Sequence, residues 1–358
     1  MEDYILKISL KCMYILGAYP DDFGYRLYNI LYGIYSFIVT SYFITFIIFE
    51  YAELITVFKE DLYEDVAILS VSLLYTTTVW KVIVCNSKNF RKLIEQIREM
   101  ETKILSNNNK DLKHIYDYYV KWNLKVNKYF IWVTIITVIP FYVSPILEQT
   151  SMESTYANQT KNNVTIMYLI KPLPADSWLP FNKYIYYYQA YVYYVIALVI
   201  GAGTTLSTDL VFVSMMVFGI GQIKIVQYIF KNTVALAKNL TKNANISYDD
   251  ALTYTVKHCI LMHQIIIRYV KDLDNSMRQL MLIDFAVASM QMATLGLQMI
   301  VSGVGWQQMF ALEFLCAMLV QLFLFYWHAN EIILESAEIA SAIWESDWLE
   351  YNQEIKNH

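Results

Sequence analysis

Uncharged stretches long enough to cross a bilayer alternate with charge-dense ones along this chain. A helix needs about 20 apolar residues to span the hydrocarbon core. Leu27 to Phe49 runs 23 residues without a charge. Val66 to Ser87 is apolar apart from Lys81, which sits near one end, where a long side chain can snorkel to the interface. Tyr129 to Leu147 is the third run, with Pro140 as an expected kink. Tyr184 to Thr208 is uncharged for 25 residues. Its apolar character resumes after Asp209 and reaches Ile223, so this helix is expected to continue past the membrane. Phe285 to Leu312 gives 28 uncharged residues with Gly303 and Gly305 inside, and Phe314 to Asn330 follows Glu313. That reads as two spans joined by a tight turn near Gly303 to Gln308. The pattern predicts an all-α, polytopic transmembrane helix bundle with six spans, near residues 27–49, 66–87, 129–147, 184–208, 285–302 and 309–330.

The connections also carry structure. Phe90 to Ile104 places Leu93, Ile94, Ile97, Met100 and Ile104 near helical spacing, and Tyr116 to Val126 continues in that style. Ile223 to Leu240 and Ala251 to Leu282 read as further amphipathic helices. The expectation is that spanning helices extend out of the membrane and pack on one another, with breaks at the Asn-rich stretches Ser106 to Asn109 and Asn239 to Asn245.

Basic residues orient the bundle, because cytoplasmic flanks accumulate Lys and Arg. The connections from Lys81 to Lys128 and from Lys224 to Arg278 hold eleven and eight of them, the N-terminal segment three and the tail one. Lys59, Lys161, Lys171 and Lys183 are the four on the other side. The division predicts a cytosolic N-terminal segment over 1–26, a bundle over 27–330 with helical cytosolic connections at 88–128 and 224–278, and a cytosolic anchor helix over 331–358. It puts the sequons Asn158-Gln-Thr and Asn163-Val-Thr outside, where glycosylation is possible. Asn239-Leu-Thr and Asn245-Ile-Ser then lie inside and unused.

Composition agrees with the bilayer as solvent: 57% of residues are hydrophobic and 16% charged, against about a quarter charged in soluble domains. A net charge of −5 gives no basic field for nucleic acid. Cys12, Cys85, Cys259 and Cys316 have neither metal nor disulfide-framework spacing. The first 20 residues show no cleavable signal, so the first span is expected to act as the membrane signal. No phosphate-cradling glycine loop occurs, and His258 and His263 fall on different helix faces. These observations point away from an enzyme, a metal site or a cofactor. Lys81, Asp209, Asp284 and Glu313 all lie near span ends and read as interfacial rather than as a proton relay.

Tyrosines crowd the start of the fourth span, from Tyr184 to Tyr194. Such belts anchor helices at headgroup level, but the run circles the helix, so some rings must face the bundle. With Tyr75 on the second span and Phe141, Tyr142 and Ser144 on the third, Tyr191 and Tyr194 would line an apolar pocket with occasional hydroxyl donors. A small volatile or lipophilic molecule suits such a lining.

Three segments make the chain resemble the insect odorant receptor family. Met13-Tyr-Ile-Leu-Gly-Ala-Tyr-Pro20 looks like the family's Gly-x-aromatic-Pro segment before the first span. Thr208-Asp-Leu, an apolar stretch and Gln222 look like its helix leaving the membrane. Asn330-Glu-Ile, Ser336, Ile339, Ala342, Trp344 and Trp348 resemble its C-terminal signature, with Trp344 where tyrosine is usual and Ala329 where glycine is usual. The resemblance implies a ligand-gated, non-selective cation channel in which an odorant-tuned subunit joins a shared co-receptor in a tetramer. It implies a site between spans two, three, four and six, subunit-anchoring roles for Ser336, Ile339, Ala342, Trp344 and Trp348, and a place in the plasma membrane of sensory dendrites. Family members have seven spans, the last lining the pore. No apolar run follows Trp348, so the expectation is a sequence without its final pore helix. Two alternatives stay open: the related gustatory-type receptor channel, and a G-protein-coupled receptor, whose Asp/Glu-Arg-Tyr and Asn-Pro-x-x-Tyr motifs do not occur.

Overall fold

The computed structural model describes residues 5–19, 25–57, 62–107, 109–151, 156–161, 164–169, 171–175, 177–244, 246–301 and 306–346. In chain order they form α1 (Lys7–Ile15), α2 (Arg26–Val57), α3 (Leu62–Cys85), α4 (Lys88–Ser106), α5 (Lys110–Ser151), β1 (Tyr156–Lys161), β2 (Val164–Leu169), α6 (Tyr187–Lys231), α7 (Thr233–Ala244), α8 (Tyr248–Val301) and α9 (Trp306–Trp344). Six of these, α2, α3, α5, α6, α8 and α9, contain segments long and apolar enough to cross a membrane. The helical bundle with six spans is what the hydrophobic pattern predicts. The antiparallel β1–β2 pair, with Tyr156 opposite Leu169 and Lys161 opposite Val164, is an addition the pattern did not announce. The expected turn at Gly303 to Gln308 falls partly outside the described residues; α8 ends at Val301 and α9 begins at Trp306.

The helices are longer than the apolar runs. α6 covers 45 residues and α8 covers 54. At 1.5 Å per residue these are rods of about 68 and 81 Å, well beyond a hydrocarbon core of about 30 Å. α5 runs 42 residues with Pro140 and Pro145 inside it. One expected helix, Ile223 to Leu240, is broken: α6 stops at Lys231, Asn232 leaves helical geometry, and α7 starts at Thr233. The Asn232 side chain donates to the Tyr228 carbonyl at 2.9 Å, competing locally with the backbone ladder.

The parts of these rods outside the apolar runs form the base of the bundle and enclose the largest apolar core. α4 is the clearest case. Ser87 caps it by accepting from the Phe90 amide at 3.3 Å, and Phe90, Leu93, Ile94, Ile97, Met100 and Ile104 face inward. They meet Val211 to Ile229 of α6, and Tyr269, Leu273, Met277 and Leu280 of α8. The turn into α5 is built by Asn side chains: Asn107 Oδ1 accepts from the Asn109 amide and Asn109 Oδ1 from that of Asp111, each at 2.9 Å.

The N-terminal segment is sewn into this base. Glu101 Oε1 accepts from the Ile5 amide at 3.0 Å and from the Tyr116 hydroxyl at 2.6 Å, and Asn123 Nδ2 donates to the Ile5 carbonyl at 2.8 Å. After α1 the chain reverses at Gly17, whose φ of +69° lies in the left-handed region. The Ala18 amide reaches back to the Met13 carbonyl at 2.9 Å, the bond that closes a glycine-terminated helix. A Cβ at Gly17 would also sit 3.0 Å from the Ser36 backbone, so conformation and space both demand glycine there. The following Tyr19 is buried.

Candidate functional site

An aromatic cluster fills the bundle at the end nearer the β-hairpin. α2 contributes a stripe at helical spacing, Phe43, Phe46, Ile47 and Glu50, all buried. α3 contributes Tyr75, and α6 contributes Ala190, Tyr194, Ala197 and Leu198. The rings meet edge to face, with Tyr75 5.3 Å from Phe43 and 5.9 Å from Phe46, and Tyr194 6.4 Å from Phe46. That is the favoured packing of aromatic quadrupoles. Gly201 makes it possible, since a Cβ there would lie 2.6 Å from a Tyr75 ring carbon.

The segment between β2 and α6 covers this cluster. The Trp178 amide donates to the Phe49 carbonyl at 3.1 Å, and the two rings pack at 5.4 Å. Lys183 pairs with Glu53 at 2.9 Å. Leu179 and Ser177 are buried, and the Tyr194 hydroxyl donates to the Ser177 carbonyl at 2.9 Å. Asn182 ends the segment, its Oδ1 accepting from the Tyr184 and Ile185 amides at 3.0 and 3.1 Å. The tyrosine-rich start of α6 is therefore held by specific bonds as well as by any headgroup anchoring.

The residues singled out from sequence divide as follows. Tyr75 and Tyr194 are in the cluster core, Tyr142 packs against it, and the Tyr191 hydroxyl donates to the Tyr142 carbonyl at 2.8 Å. Phe141 lies outside that cluster and meets Phe314 of α9, the sixth span, at 5.6 Å. Ser144 lies on α5, with its side chain outside the described residues. Glu50, Phe43, Phe46 and Tyr193 were not anticipated. They lie on the first span and on the second half of the tyrosine run, where periodicity alone does not say which face looks inward. Asn158 lies on β1 opposite Met167, whereas Asn163 and Trp348 lie outside the described residues. On α9, Ile339 and Ala342 are buried within this chain's own base. Ser336 and Trp344 are exposed, Trp344 by 74%.

One sequence expectation is overturned. Lys81 does not reach outward to snorkel, nor do Asp209 and Asp284 face outward: all three are paired inside the protein. Lys81 is wholly buried, its Nζ 2.8 Å from Asp209 Oδ1 of α6 and 2.8 Å from Asp284 Oδ1 of α8. Gln321 of α9 donates to Asp209 Oδ2 at 2.7 Å. Four helices thus converge on one polar knot. Each buried ion would otherwise cost several kcal/mol of lost hydration, and this arrangement offsets that by pairing the ammonium twice. The three charges are far apart in sequence, so their union was legible only once the helices were packed. Glu313, the fourth charge read as lying near a span end, is partly buried on α9.

Two cavities lie away from the aromatic cluster. One, of about 410 Å³, is at the base between α5, α6 and α9, bordered by Tyr119, Lys224, Gln227 and Ala342. The other, of about 400 Å³, is bordered by Tyr14, Tyr28, Tyr32 and Tyr35, where α1 meets α2.

Long helices that extend from a multi-span bundle into a shared base, with an aromatic cluster at the opposite end, define a polytopic helical membrane protein. Residues 60–358 match the family model described as 7tm odorant receptor, and the chain belongs to that family. That membership replaces the two alternatives left open by the sequence. Its fold is similar to the insect olfactory receptor OR5 from Machilis hrabei, with a TM-score of 0.74 at 14% identity over 99% of this chain and 88% of that one. The same receptor in complex with eugenol aligns with a TM-score of 0.66 at 14% identity, over 95% of this chain and 86% of that one. Among curated relatives, odorant receptor Or2 of Anopheles gambiae is 32% identical over 28% of this chain, and odorant receptor 10 of Aedes albopictus is 30% identical over 40%. These alignments span 27% and 37% of the two relatives' lengths.

Proposed function

We propose that this chain is an odorant-tuned subunit that binds a small volatile or lipophilic ligand within the bundle and, with a co-receptor, gates a non-selective cation channel. The observation that carries the ligand-binding half is the aromatic cluster. α2, α3, α5 and α6 bring Tyr75, Tyr142, Tyr191 and Tyr194 together under a bonded cover, where shape and dispersion select the ligand. Binding shifts a closed-to-open equilibrium only by the ligand's differential affinity for the two states. In this reading the base is cytosolic, the β-hairpin is external, and the site of action is the plasma membrane of sensory dendrites.

The anchor reading centres on the outer face of α9. Ile339 and Ala342 fix that helix to its own chain, leaving Ser336 and Trp344 to meet a neighbouring subunit. The test is made on cells expressing the chain with the co-receptor. Native-size analysis is expected to show a hetero-tetramer, and an epitope ahead of Met1 is expected to stain only after permeabilisation. Staining of that epitope on intact cells overturns the reading, as does a failure of the two chains to co-purify from those cells.

A further inference from the structure

The aromatic cluster contains a group that a purely apolar pocket does not need. Glu50 continues the α2 stripe of Phe43, Phe46 and Ile47 and is only 3% exposed. Ser72 of α3 hydrogen-bonds its carboxyl, although that hydroxyl has a single proton and also lies 2.9 Å from the Ile68 carbonyl. Glu50 Oε2 has no hydrogen-bond partner among the described residues. Two basic side chains at this end of the bundle are engaged elsewhere: Lys183 pairs with Glu53, and Lys171 lies over the Tyr187 ring. The hydroxyls of Tyr142 and Tyr193 are likewise buried and without a partner. Tyr75 and Tyr193 are within electrostatic reach of the Glu50 carboxyl.

Three unpartnered oxygens, on α2, α5 and α6, thus belong to one aromatic cluster, in which Tyr75 and Tyr193 both pack on Phe46, one helical turn before Glu50. Phe46 and Tyr193 are 6.1 Å apart centre to centre. A buried acceptor left unpaired is costly, and aromatic faces attract a cation. One functional group answers both. We propose that this cluster takes amines, with the ligand nitrogen on Glu50 Oε2 and its hydrocarbon part against Phe46, Tyr75 and Tyr193.

The proton balance closes without a further reactant. An ammonium arriving charged pairs with the carboxylate directly. A free base arriving through lipid takes the proton of a protonated Glu50 onto nitrogen. Both routes end in the same ammonium–carboxylate pair. An alcohol meets the hydrogen-bonding need but not the cation-attracting rings, and a carboxylate, an acceptor only, meets neither. The inference rests on the aromatic cluster being the ligand site.

The experiment compares three probes of similar shape, 2-phenylethylamine, 2-phenylethanol and propylbenzene, by titration calorimetry on the full chain in lipid nanodiscs. The amine is expected to bind about tenfold or more tightly than the alcohol, the scale of a desolvated, charge-assisted contact. Glu50→Gln is expected to erase that preference, with propylbenzene, which makes no polar contact, as the reference ligand. Tyr193→Phe is expected to weaken the amine and spare propylbenzene. Equal affinity of amine and alcohol on the unaltered protein overturns the amine proposal while leaving the ligand site standing, and this comparison needs no variant to fold. An amine preference that survives Glu50→Gln also overturns it. If none of the three probes binds, the ligand-site reading fails together with it.

Discussion

Lys81 on α3 and Asp209 on α6 meet at 2.8 Å in a place sealed from solvent, although 128 positions separate them in the chain. Asp284 and Gln321 complete the contact from α8 and α9. A buried pair of this kind stabilises only while every member is present, because removing one partner leaves an uncompensated charge.

Lys81→Met is therefore expected to cost about 3–5 kcal/mol, read as a large fall in thermal midpoint and loss of a monodisperse peak in detergent. Combining it with Asp209→Asn and Asp284→Asn is expected to restore much of the loss. No recovery in the triple variant would mean that Lys81 is held by packing rather than by its charge partners.

Two glycines make a contrasting pair. Gly201→Ala forces a methyl to within 2.6 Å of the Tyr75 ring and 3.0 Å of Phe43, and is expected to cost about 1–3 kcal/mol by overpacking. Gly33 has nothing within 4 Å of an added Cβ. Gly33→Ala removes a mid-helix glycine and is expected to be neutral or stabilising by about 0.5–1 kcal/mol. Thermal unfolding of both variants in one detergent checks the difference in sign.

Glu101 should give the base a pH dependence. Burial raises its carboxyl above the ordinary carboxylate range, against the lowering effect of the Tyr116 and Ile5 hydrogen bonds. A folded-state value above the unfolded one means the folded protein binds the extra proton between the two. Stability is then fullest below the unfolded value near 4.5 and falls as pH rises through the folded one. Glu101→Gln, which retains an acceptor oxygen, is expected to flatten the thermal midpoint over that rise. An unchanged slope would assign the pH dependence to another group.

The sequons test orientation independently. Enzymatic deglycosylation of the expressed protein is expected to increase its gel mobility, and Asn158→Gln with Asn163→Gln is expected to abolish that shift. Loss of the shift through Asn239→Gln or Asn245→Gln instead would put α7 on the external side, opposite to the proposed topology.

Much of this architecture is written in the sequence at the level of single helices. The uncharged runs mark the spans, and the stripe from Phe90 to Ile104 marks an inward face of α4, because both depend on neighbours along one helix. The Asn-rich break before α5 was legible for the same reason. What escaped was everything decided between helices. Lys81 looked like a snorkelling end because its two carboxylate partners lie on α6 and α8. Glu50 drew no notice, because only packing shows that it shares a buried face with Phe46. Which neighbour each ring of α5 meets was decided the same way: Phe141 packs on Phe314 of α9, while Tyr142 next to it packs on the aromatic cluster. The β-hairpin had no clean alternation to announce it, since its six-residue strands mix Asn, Gln and Thr with apolar residues.

The length of α6 gives the polar knot a mechanical meaning. From Tyr194 to Asp209 is about 22 Å along the axis, and from Asp209 to Gln227, which donates to the Glu335 carbonyl of α9, about 27 Å. A stiff rod gripped near its middle cannot slide freely, but it can rock. Any lean of the arm bearing the tyrosines that leaves the grip intact must reappear at the far arm with opposite sense and slightly larger amplitude. A displacement of the tyrosine-bearing arm would thereby be delivered, reversed, to the seam between α6 and α9.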